Sequence, residues 1–362
     1  MRAWPCLPAD DPPPTLPETG GRAARLLSIE CVPFDAGHAG VIVELGHRAF
    51  SAVTGYARPK DSAAHLGQLL GPENPGGQTW LAVAREGSRC VGNVAATPFR
   101  FRTKTGRLLT GFQLGSLVVD PVLQRQGVGS RLIAEITGYL ADKPDSFTYI
   151  YPNTRSKHVL LRQGYEIAAD IPTYVHLPTS TSFGISRGSW DIEIVTPRTL
   201  WRDMASFPED DSTTGGFIRD AAYCRWRYCG PDTENRYRFA VLRAKSGSGT
   251  AVVVLTSHEF NGIRFTIVVD LFSASPGRHY APAIKAAQIC GSGDSPRLVY
   301  SSSNIPILAR LRGDMKQKSR GFAVPDFANP RPIKLLLHTT SSGVGRDDLA
   351  NSVALTGDWM GF

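Results

Sequence analysis

One junction constrains what this chain can fold into more than any other stretch. The apolar run Leu117–Val119 is followed by a polar loop with two glycines, DPVLQRQGVGSRL, which spans residues 120–132. Apolar residues then recur at helical spacing, at positions 132, 133, 136, 139 and 140. The junction therefore predicts a buried strand that passes through the loop into an amphipathic helix packed on a sheet.

The loop Gln124–Gly129 has the pattern Q-x-x-G-x-G, which predicts an anion site. The first turn of a helix presents unpaired N–H groups and the positive end of the helix dipole, and glycines let the backbone approach a pyrophosphate closely. Arg125 and Arg131 add positive charge at the rim. The pattern lacks the GK[ST] of a Walker loop and the third glycine of the dinucleotide fingerprint. A tight turn without a ligand is the alternative for the loop taken alone.

Length and composition set the broad class. The 362 residues exceed the usual size of one domain, so we expect two. The net charge of +8 suits an anionic ligand, but no run of five Lys or Arg occurs, which argues against nucleic acid as a partner. The six cysteines form no CxxC pair and have no histidine at zinc spacing, which predicts free thiols in a reducing compartment and no metal. No apolar run is long enough for a membrane span, and no signal peptide is evident, so we expect a cytoplasmic protein.

The pattern along the chain predicts two mixed α/β units. Residues 1–25 contain six prolines and predict an extended or disordered leader, and residues 178–190, rich in Ser, Thr and Gly, predict a linker. The first unit spans residues 26–177, and the second, smaller α/β unit spans 191–362. Predicted strands fall at 26–32, 80–84, 90–98, 112–119, 147–151, 237–243, 251–255, 264–271, 298–301 and 333–338, and predicted helices at 36–50, 132–140, 153–162 and 281–290. The similar order of elements is compatible with a degenerate duplication.

Two motifs of the first unit carry a family resemblance. The segment LGSLVVDPVLQRQGVGSRLIAEI, residues 114–136, closely resembles motif A of the GNAT superfamily of N-acetyltransferases. The stretch YPNTRSKHVLLRQGYE, residues 151–166, resembles the closing motif of that family. The matching residues are Val119, Pro121, Gln124, Gly127, Gly129, Asn153, Ser156, Gly164 and Tyr165. The resemblance covers about residues 26–177 and implies the GNAT acyl-CoA N-acyltransferase fold there.

The resemblance also implies the chemistry. Acetyl-CoA, or another acyl-CoA, would be the donor, and a primary amine of a small molecule or amino sugar would attack its thioester directly. Backbone groups of Leu117 and Val119 would pair with pantetheine, and an N–H near Val118 would polarise the thioester carbonyl. The residues expected to bind the donor are Leu117, Val118, Val119, Gln124, Arg125, Gln126, Gly127, Val128, Gly129, Ser130, Asn153 and Ser156.

The catalytic groups are less defined. Glu44 and His47, in the helix predicted over residues 36–50, are candidates for the general base, and solvent exposure of both is the alternative. Gln113 and Ser116 are not bases, so a water relay is a further option. Many family members carry a general-acid tyrosine where this chain has Leu160. Tyr149 or Tyr151 could replace it, although strand aromatics are more often part of a core.

The second unit contains no Q-x-x-G-x-G loop. In RWRYCGPDTENRYRFAVL, residues 225–242, the positions Trp226, Tyr228, Pro231 and Tyr237 resemble a signature of domains appended to some bacterial acetyltransferases. The closing TGDWMGF resembles the G-D-x-D ending of those domains but departs from it at Met360. The resemblance implies a degenerate, GNAT-like second domain. Its aromatic residues either bind the acceptor or anchor a core, and the second option is the commoner role of large aromatics.

Three functions remain open at this point. The first is acyl transfer to a small-molecule amine. The sequence is compatible with either a monomer or a homodimer. The second is a long-chain N-acyl amino acid synthase with the same fold, and the third is a non-catalytic regulatory protein that binds acyl-CoA. A nucleic-acid-binding function ranks last, because the basic charge is diffuse and not interleaved with aromatic residues.

Overall fold

The computed structural model describes residues 27–50, 62–176, 189–202, 215–230, 233, 236–247, 249–260, 263–291, 298–302, 321–323, 333–338 and 344–350. The predicted leader over residues 1–25, nearly all of the predicted linker and the closing stretch TGDWMGF lie outside these ranges.

The first half alternates strands and helices, as its hydrophobic pattern predicts. Its elements are β1 (Leu27–Pro33), α1 (Ala36–Phe50), α2 (Ser62–Leu70), β2 (Trp80–Glu86), β3 (Arg89–Arg102), β4 (Leu108–Val119), α3 (Val128–Ala141), β5 (Ser146–Ile150), α4 (Thr154–Arg162), β6 (Glu166–Ile171) and β7 (Thr173–His176). A short 3₁₀ turn at Pro121–Leu123 joins β4 to the glycine loop. The sequence pattern did not predict α2, β6 and β7, which are nine, six and four residues long.

The second half is also mixed α/β. Its elements are β8 (Trp190–Val195), α5 (Pro197–Arg202), β9 (Gly216–Phe217), α6 (Ala221–Tyr228), β10 (Arg238–Ala244), β11 (Thr250–Phe260), β12 (Ile263–Phe272), α7 (Pro276–Cys290), β13 (Leu298–Ser302), β14 (Gly321–Ala323), β15 (Ile333–His338) and α8 (Arg346–Ala350). Helix α7 begins five residues before the predicted start at 281, because Pro276 occupies its first turn, where a missing N–H costs nothing.

The two sheets share one topology. The first has the order β1-β2-β3-β4-β5-β15-β6, and the second has the order β8-β10-β11-β12-β13-β7-β14. In each sheet, four antiparallel strands are followed by a strand parallel to the fourth, which the chain reaches through helix α3 or α7. An antiparallel strand and a last edge strand complete each order. The similar order of elements in the two halves of the sequence therefore corresponds to a repeated fold.

Each half contributes to the sheet of the other half. The two-residue strand β9 of the second half pairs with β3 in the first sheet. Strand β15 comes from the second half but lies between β5 and β6 in the first sheet. Strand β7 comes from the first half but lies between β13 and β14 in the second sheet. Sheet membership therefore crosses the predicted boundary between residues 26–177 and 191–362, and the division into those folding units stays a prediction.

An aromatic core joins the two sheets. Phe99 of β3 contacts Phe217 and Trp226 from the second half, with ring centroids 6.3 and 5.6 Å apart. The Trp226 indole donates to the Gln68 carbonyl of α2 at 3.0 Å, and the Gln68 amide donates back to the Trp226 carbonyl at 2.7 Å. Trp226 and Tyr228 are thus buried anchors of the interface, in line with the core role that large aromatics most often have.

A buried ion pair lies on the second-sheet side of this core. The Asp270 carboxylate, with no solvent exposure, is 3.2 Å from the Arg219 guanidinium and accepts the Tyr228 hydroxyl at 2.8 Å. The Leu271 amide donates to the same carboxylate at 2.9 Å. A carboxylate this buried is tolerated only because every one of these groups stabilises its charge.

We predict that Asp270→Ala destabilises the protein by about 3–5 kcal/mol, because it leaves a buried arginine and a buried phenol without their acceptor. The matched control is Glu193→Ala, which removes an exposed carboxylate paired with Arg243 and should cost about 0–1 kcal/mol. Urea denaturation of both variants measures the difference. Equal midpoints for the two variants would contradict the prediction.

A buried histidine, His176, lies on β7, next to the edge strand β14 of the second sheet. His176 of β7 is 3.3 Å from the Ser301 hydroxyl, which is 2.7 Å from the Tyr280 hydroxyl. Burial lowers the pKa of His176 from 6.5 to about 4. The folded protein therefore holds this imidazole neutral at a pH where the unfolded chain binds a proton.

We predict that acid weakens the fold through this group. The stabilising contribution is present above about pH 6.5 and is lost as the pH falls towards about 4, by up to about 3 kcal/mol. Burial lowers the pKa of His279 and His338 as well, and both add to the same slope. Unfolding free energies measured across this range should depend less on pH in His176→Gln, whereas His258→Gln, at an exposed site, should keep the wild-type slope.

Candidate functional site

The parallel strands β4 and β5 separate partway along their length. Their pairing runs from Thr110 opposite Ser146 to Gln113 opposite Tyr149 and then stops, although β4 continues to Val119. One edge of β4 over residues 114–119 therefore has no strand partner among the described residues. Helices α3 and α4 begin just beyond the two strand ends, so two helix N-termini flank the opening.

A bulge in β4 lies within this opening. Asn93 pairs with Val118 and Ala95 pairs with Gly115, so β4 has one more residue than β3 over this stretch. Ser116 adopts a φ of +50°, a conformation that costs a non-glycine residue about 1–3 kcal/mol and is concentrated at functional sites. The bulge turns Val118 towards the cluster under α1, while Leu117 and Val119 pack on the α3 side.

The glycine loop places an open helix N-terminus at the end of the opening. Gly127 has φ 78° and ψ 0° and begins α3 without a side-chain cap, and the first turn holds no acidic residue. The amides of residues 128–130 precede the first intrahelical bond, which Arg131 donates to the Gly127 carbonyl. Arg125 also has a positive φ of 63° and lies exposed beside these amides. Backbone amides at a helix N-terminus beside an arginine are an arrangement that suits an anion, and binding of one here stays a prediction.

The loop leaves open space beside Gly129. A Cβ on Gly129 would meet only the Val119 side chain, at 3.8 Å, so the protein itself does not require glycine there. A ligand that approaches the backbone does require the empty space. Gln124 uses its side-chain amide to bind the Val119 carbonyl at 3.1 Å, and Gln126 binds the Val122 carbonyl at 2.8 Å. Both glutamine side chains therefore bond to carbonyl groups of the loop and its preceding strand and not to the amides at the start of α3.

Asp120 anchors the start of the loop, which the sequence analysis missed. It is 3% exposed, and its carboxylate contacts Arg89 of β3 at 2.7 Å and Arg48 of α1 at 3.4 Å. Its backbone N–H bonds to the Val91 carbonyl at 2.8 Å, and its side chain accepts the Val122 amide at 3.3 Å. The only sequence signal was an aspartate before proline, which is common in turns.

The predicted catalytic residues lie in different surroundings. Glu44 and His47 are exposed on α1, and the Glu44 carboxylate is 2.7 Å from Arg48. Tyr149 is buried in the interface between the sheets, with its ring 4.7 Å from Phe217. Tyr151 follows the end of β5 and is half-buried. The roles of all four residues stay predictions.

The closing motif builds the start and end of α4. Asn153 accepts the Ser156 amide at 2.9 Å, and the Ser156 hydroxyl donates back to the Asn153 side chain at 3.1 Å. Their side chains thus cap α4 beside the opening. That these two residues contact the acyl-CoA substrate stays a prediction. Leu160, at the position of the family tyrosine, is fully buried against α3, and Gly164 ends the helix region with a φ of +85°.

The corresponding junction of the second sheet is built differently. Between β12 and α7 the helix cap is Ser275 instead of a glycine, although Gly277 lies in the first turn. His279 contacts the Ser273 hydroxyl at 2.5 Å. Pro276 occupies the first helical turn and offers no N–H. This junction lacks the open row of amides present at α3.

Comparison with known proteins agrees with this geometry. Residues 47–168 match the family model of the acetyltransferase (GNAT) domain, which covers about a third of the chain. No curated protein matches the sequence significantly.

Similar solved structures share the fold. A conserved protein of unknown function from Enterococcus faecalis V583, described as a probable N-acyltransferase, has a TM-score of 0.61 at 14% identity, over 87% of this chain and 73% of that chain. A GCN5-related N-acetyltransferase from Anabaena variabilis has a TM-score of 0.57 at 14% identity, over 86% and 72%. One from Kribbella flavida has a TM-score of 0.56 at 13% identity, over 88% and 72%.

The family match and the geometry of the glycine loop agree on one class of domain. Residues 47–168 match the GNAT acetyltransferase domain, and the fold around them is the one that the similar solved structures share. Within the described ranges, no helix is both long and apolar enough to cross a membrane. In the same ranges, histidine, cysteine and acidic residues form no cluster of three or more that could hold a metal ion.

Proposed function

We propose that the protein transfers an acyl group from a coenzyme A thioester to a primary amine of a small molecule. The observation that carries the proposal is the opening between β4 and β5, which ends at the uncapped N-terminus of α3. An extended pantetheine fits an opening that exposes one edge of a strand, and a pyrophosphate fits the amides of residues 128–130.

The chain's own groups act mainly by positioning. The loop Gln124–Ser130 binds the pyrophosphate through backbone N–H groups, with Arg125 adding charge. The backbone of Leu117 and Val119 orients the pantetheine arm, and an N–H near Val118 stabilises negative charge on the thioester oxygen during attack. Holding thioester and amine together then supplies much of the rate enhancement.

The acceptor approaches from the face of the first sheet that carries α1 and the second half. Helices α2 and α6 are joined there by the two hydrogen bonds between Gln68 and Trp226. Arg100 of β3 also pairs with Asp220, which caps α6, at 2.7 Å. These bonds hold the second half against the acceptor side, which favours a small, enclosed amine over a protein substrate.

Proton transfer has two sets of candidates on this face. The amine must lose a proton before attack, and Glu44 or His47 of α1 can accept it directly or through water because both reach solvent. Tyr149 is committed to the aromatic interface, so Tyr151 is the better of the two tyrosine candidates for protonating the thiolate. Coenzyme A thiolate also leaves readily near neutral pH without an acid.

The remaining expectations follow from the same observations. The five cysteines among the described residues are free thiols, which fits a reducing, cytoplasmic compartment. A homodimer is compatible with the exposed edge strand β1.

We predict that Gly129→Glu weakens acetyl-CoA binding about 100-fold, because it places a carboxylate against the pyrophosphate. The fold should tolerate the change, since a Cβ has room there and an acidic residue in the first turn stabilises a helix by about 0.3–1 kcal/mol. Titration calorimetry with acetyl-CoA and thiol release in the presence of an amine panel measure both effects.

Gly138→Glu is the matched control, because it adds the same charge to an exposed position of the same helix with open space around its Cβ. It should bind acetyl-CoA like the wild type. Equal binding by both variants would show that the loop is only a turn. Binding of acetyl-CoA without turnover of any amine would favour the long-chain synthase or the regulatory protein, and turnover with a long-chain acyl-CoA would distinguish these two.

A further inference from the structure

Asn93 is a fully buried polar side chain at the bulge of β4. It lies on β3 between Val83 of β2 and Val118 of β4, its direct partners in the sheet. Both valines belong to the apolar cluster under α1, so Asn93 faces the same side of the sheet. Burying a side-chain amide among apolar residues costs free energy unless the amide is hydrogen-bonded.

One hydrogen bond of Asn93 holds the bulge. Its Nδ2 donates to the carbonyl of Ser116 at 2.8 Å. Because that carbonyl can only accept, the amide orientation is fixed, with the nitrogen towards the bulge. Asn93 Oδ1 is then buried without a hydrogen-bond partner among the described residues. The same side chain thus places its Nδ2 donor at the bulge and leaves its Oδ1 acceptor without a partner among the described residues.

We propose that Asn93 is a positioning residue for acyl transfer. By binding the Ser116 carbonyl, it holds Ser116 in its left-handed conformation and fixes the direction of the peptide groups that follow, at Leu117 and Val118. These are the groups that orient the thioester under the proposed function, on which this inference rests.

The hydrogen bond to the Ser116 carbonyl explains why asparagine fits this position better than side chains of similar size. An ionised aspartate has the same shape but turns an acceptor towards the Ser116 carbonyl, so the two oxygens repel each other. A leucine fills the space but leaves the carbonyl unpaired in an apolar cluster. A protonated aspartic acid again offers an O–H donor at the same place, and burial favours that form.

The test compares Asn93→Asp and Asn93→Leu with a matched control, Asn74→Asp. Asn74 is also buried, and its Nδ2 donates to another carbonyl of β3, that of Pro98, at 3.0 Å. It lies away from the bulge. The measurements are backbone amide exchange over residues 113–119, acetyl-CoA affinity by calorimetry, and kcat and KM with an amine that the wild type acetylates.

We expect both Asn93 variants to exchange faster over residues 113–119, while Asn74→Asp leaves that segment unchanged. Asn93→Asp should lower kcat about 10-fold or more near neutral pH and change the KM for acetyl-CoA by less than about 3-fold. Its kcat relative to wild type should rise as the pH falls from about 8 to about 6, because the protonated carboxyl restores the donor. Asn93→Leu should show no such recovery.

Three results would overturn the inference. One is an unchanged exchange rate over residues 113–119 in both Asn93 variants, and another is a kcat of Asn93→Asp within about 2-fold of wild type across the pH range. The third is an equal kcat loss in Asn74→Asp, which would assign the effect to general destabilisation. Failure of the proposed function is separately visible, because the wild type would then bind no acetyl-CoA or acetylate no amine, while the exchange data still decide whether Asn93 holds the bulge.

Discussion

Strand β4 pairs with β3 along nearly its whole length but loses its pairing with β5 after Gln113. The free edge of β4 results from this separation, and the bulge at Ser116 and the open start of α3 lie along the same stretch of chain. If β4 and β5 paired along their whole length, their backbone groups would be hydrogen-bonded to each other, but the opening between the two strands would be lost. The backbone groups along the free edge need other hydrogen-bond partners, which water or another extended chain can supply.

Several interactions hold the two strands apart. The aromatic interface packs Phe99, Phe147 and Tyr149 of the first sheet against Phe217 and Trp226 of the second half. On the other side of β5, strand β15 supplies hydrogen bonds from a distant part of the chain. Asp120 then ties the end of β4 to Arg48 and Arg89. The second half thus contributes to the geometry of the first. At the junction before α7, the second sheet has a contact between His279 and the Ser273 hydroxyl in place of an open row of amides.

The local features of the site could be predicted from the sequence. The glycine loop, the helix stripe at positions 132 to 140 and the caps around Asn153 depend on residues close together in the chain, and each has a recognisable pattern. The anchors Asp120 and Asn93 could not be predicted. Their partners Arg48, Arg89 and Ser116 come from other elements, and a single aspartate or asparagine in a sequence has no pattern of its own. Short elements such as α2 and β7 also escaped, because tertiary packing stabilises them more than their own propensity does.

The strand–loop–helix unit of β4 and α3 can be predicted from the sequence alone, because it depends on short-range backbone geometry and helix electrostatics. The pairing of Glu44 with Arg48 is equally local, since the two residues are one turn apart on α1. The position of Tyr149 in a core instead depends on the packing of the two sheets. Only the tertiary structure decided that β7 and β15 cross between the two sheets. Strand exchange, burial and buried polar contacts are set by residues far apart in sequence, and their energies appear only when the sheets pack together.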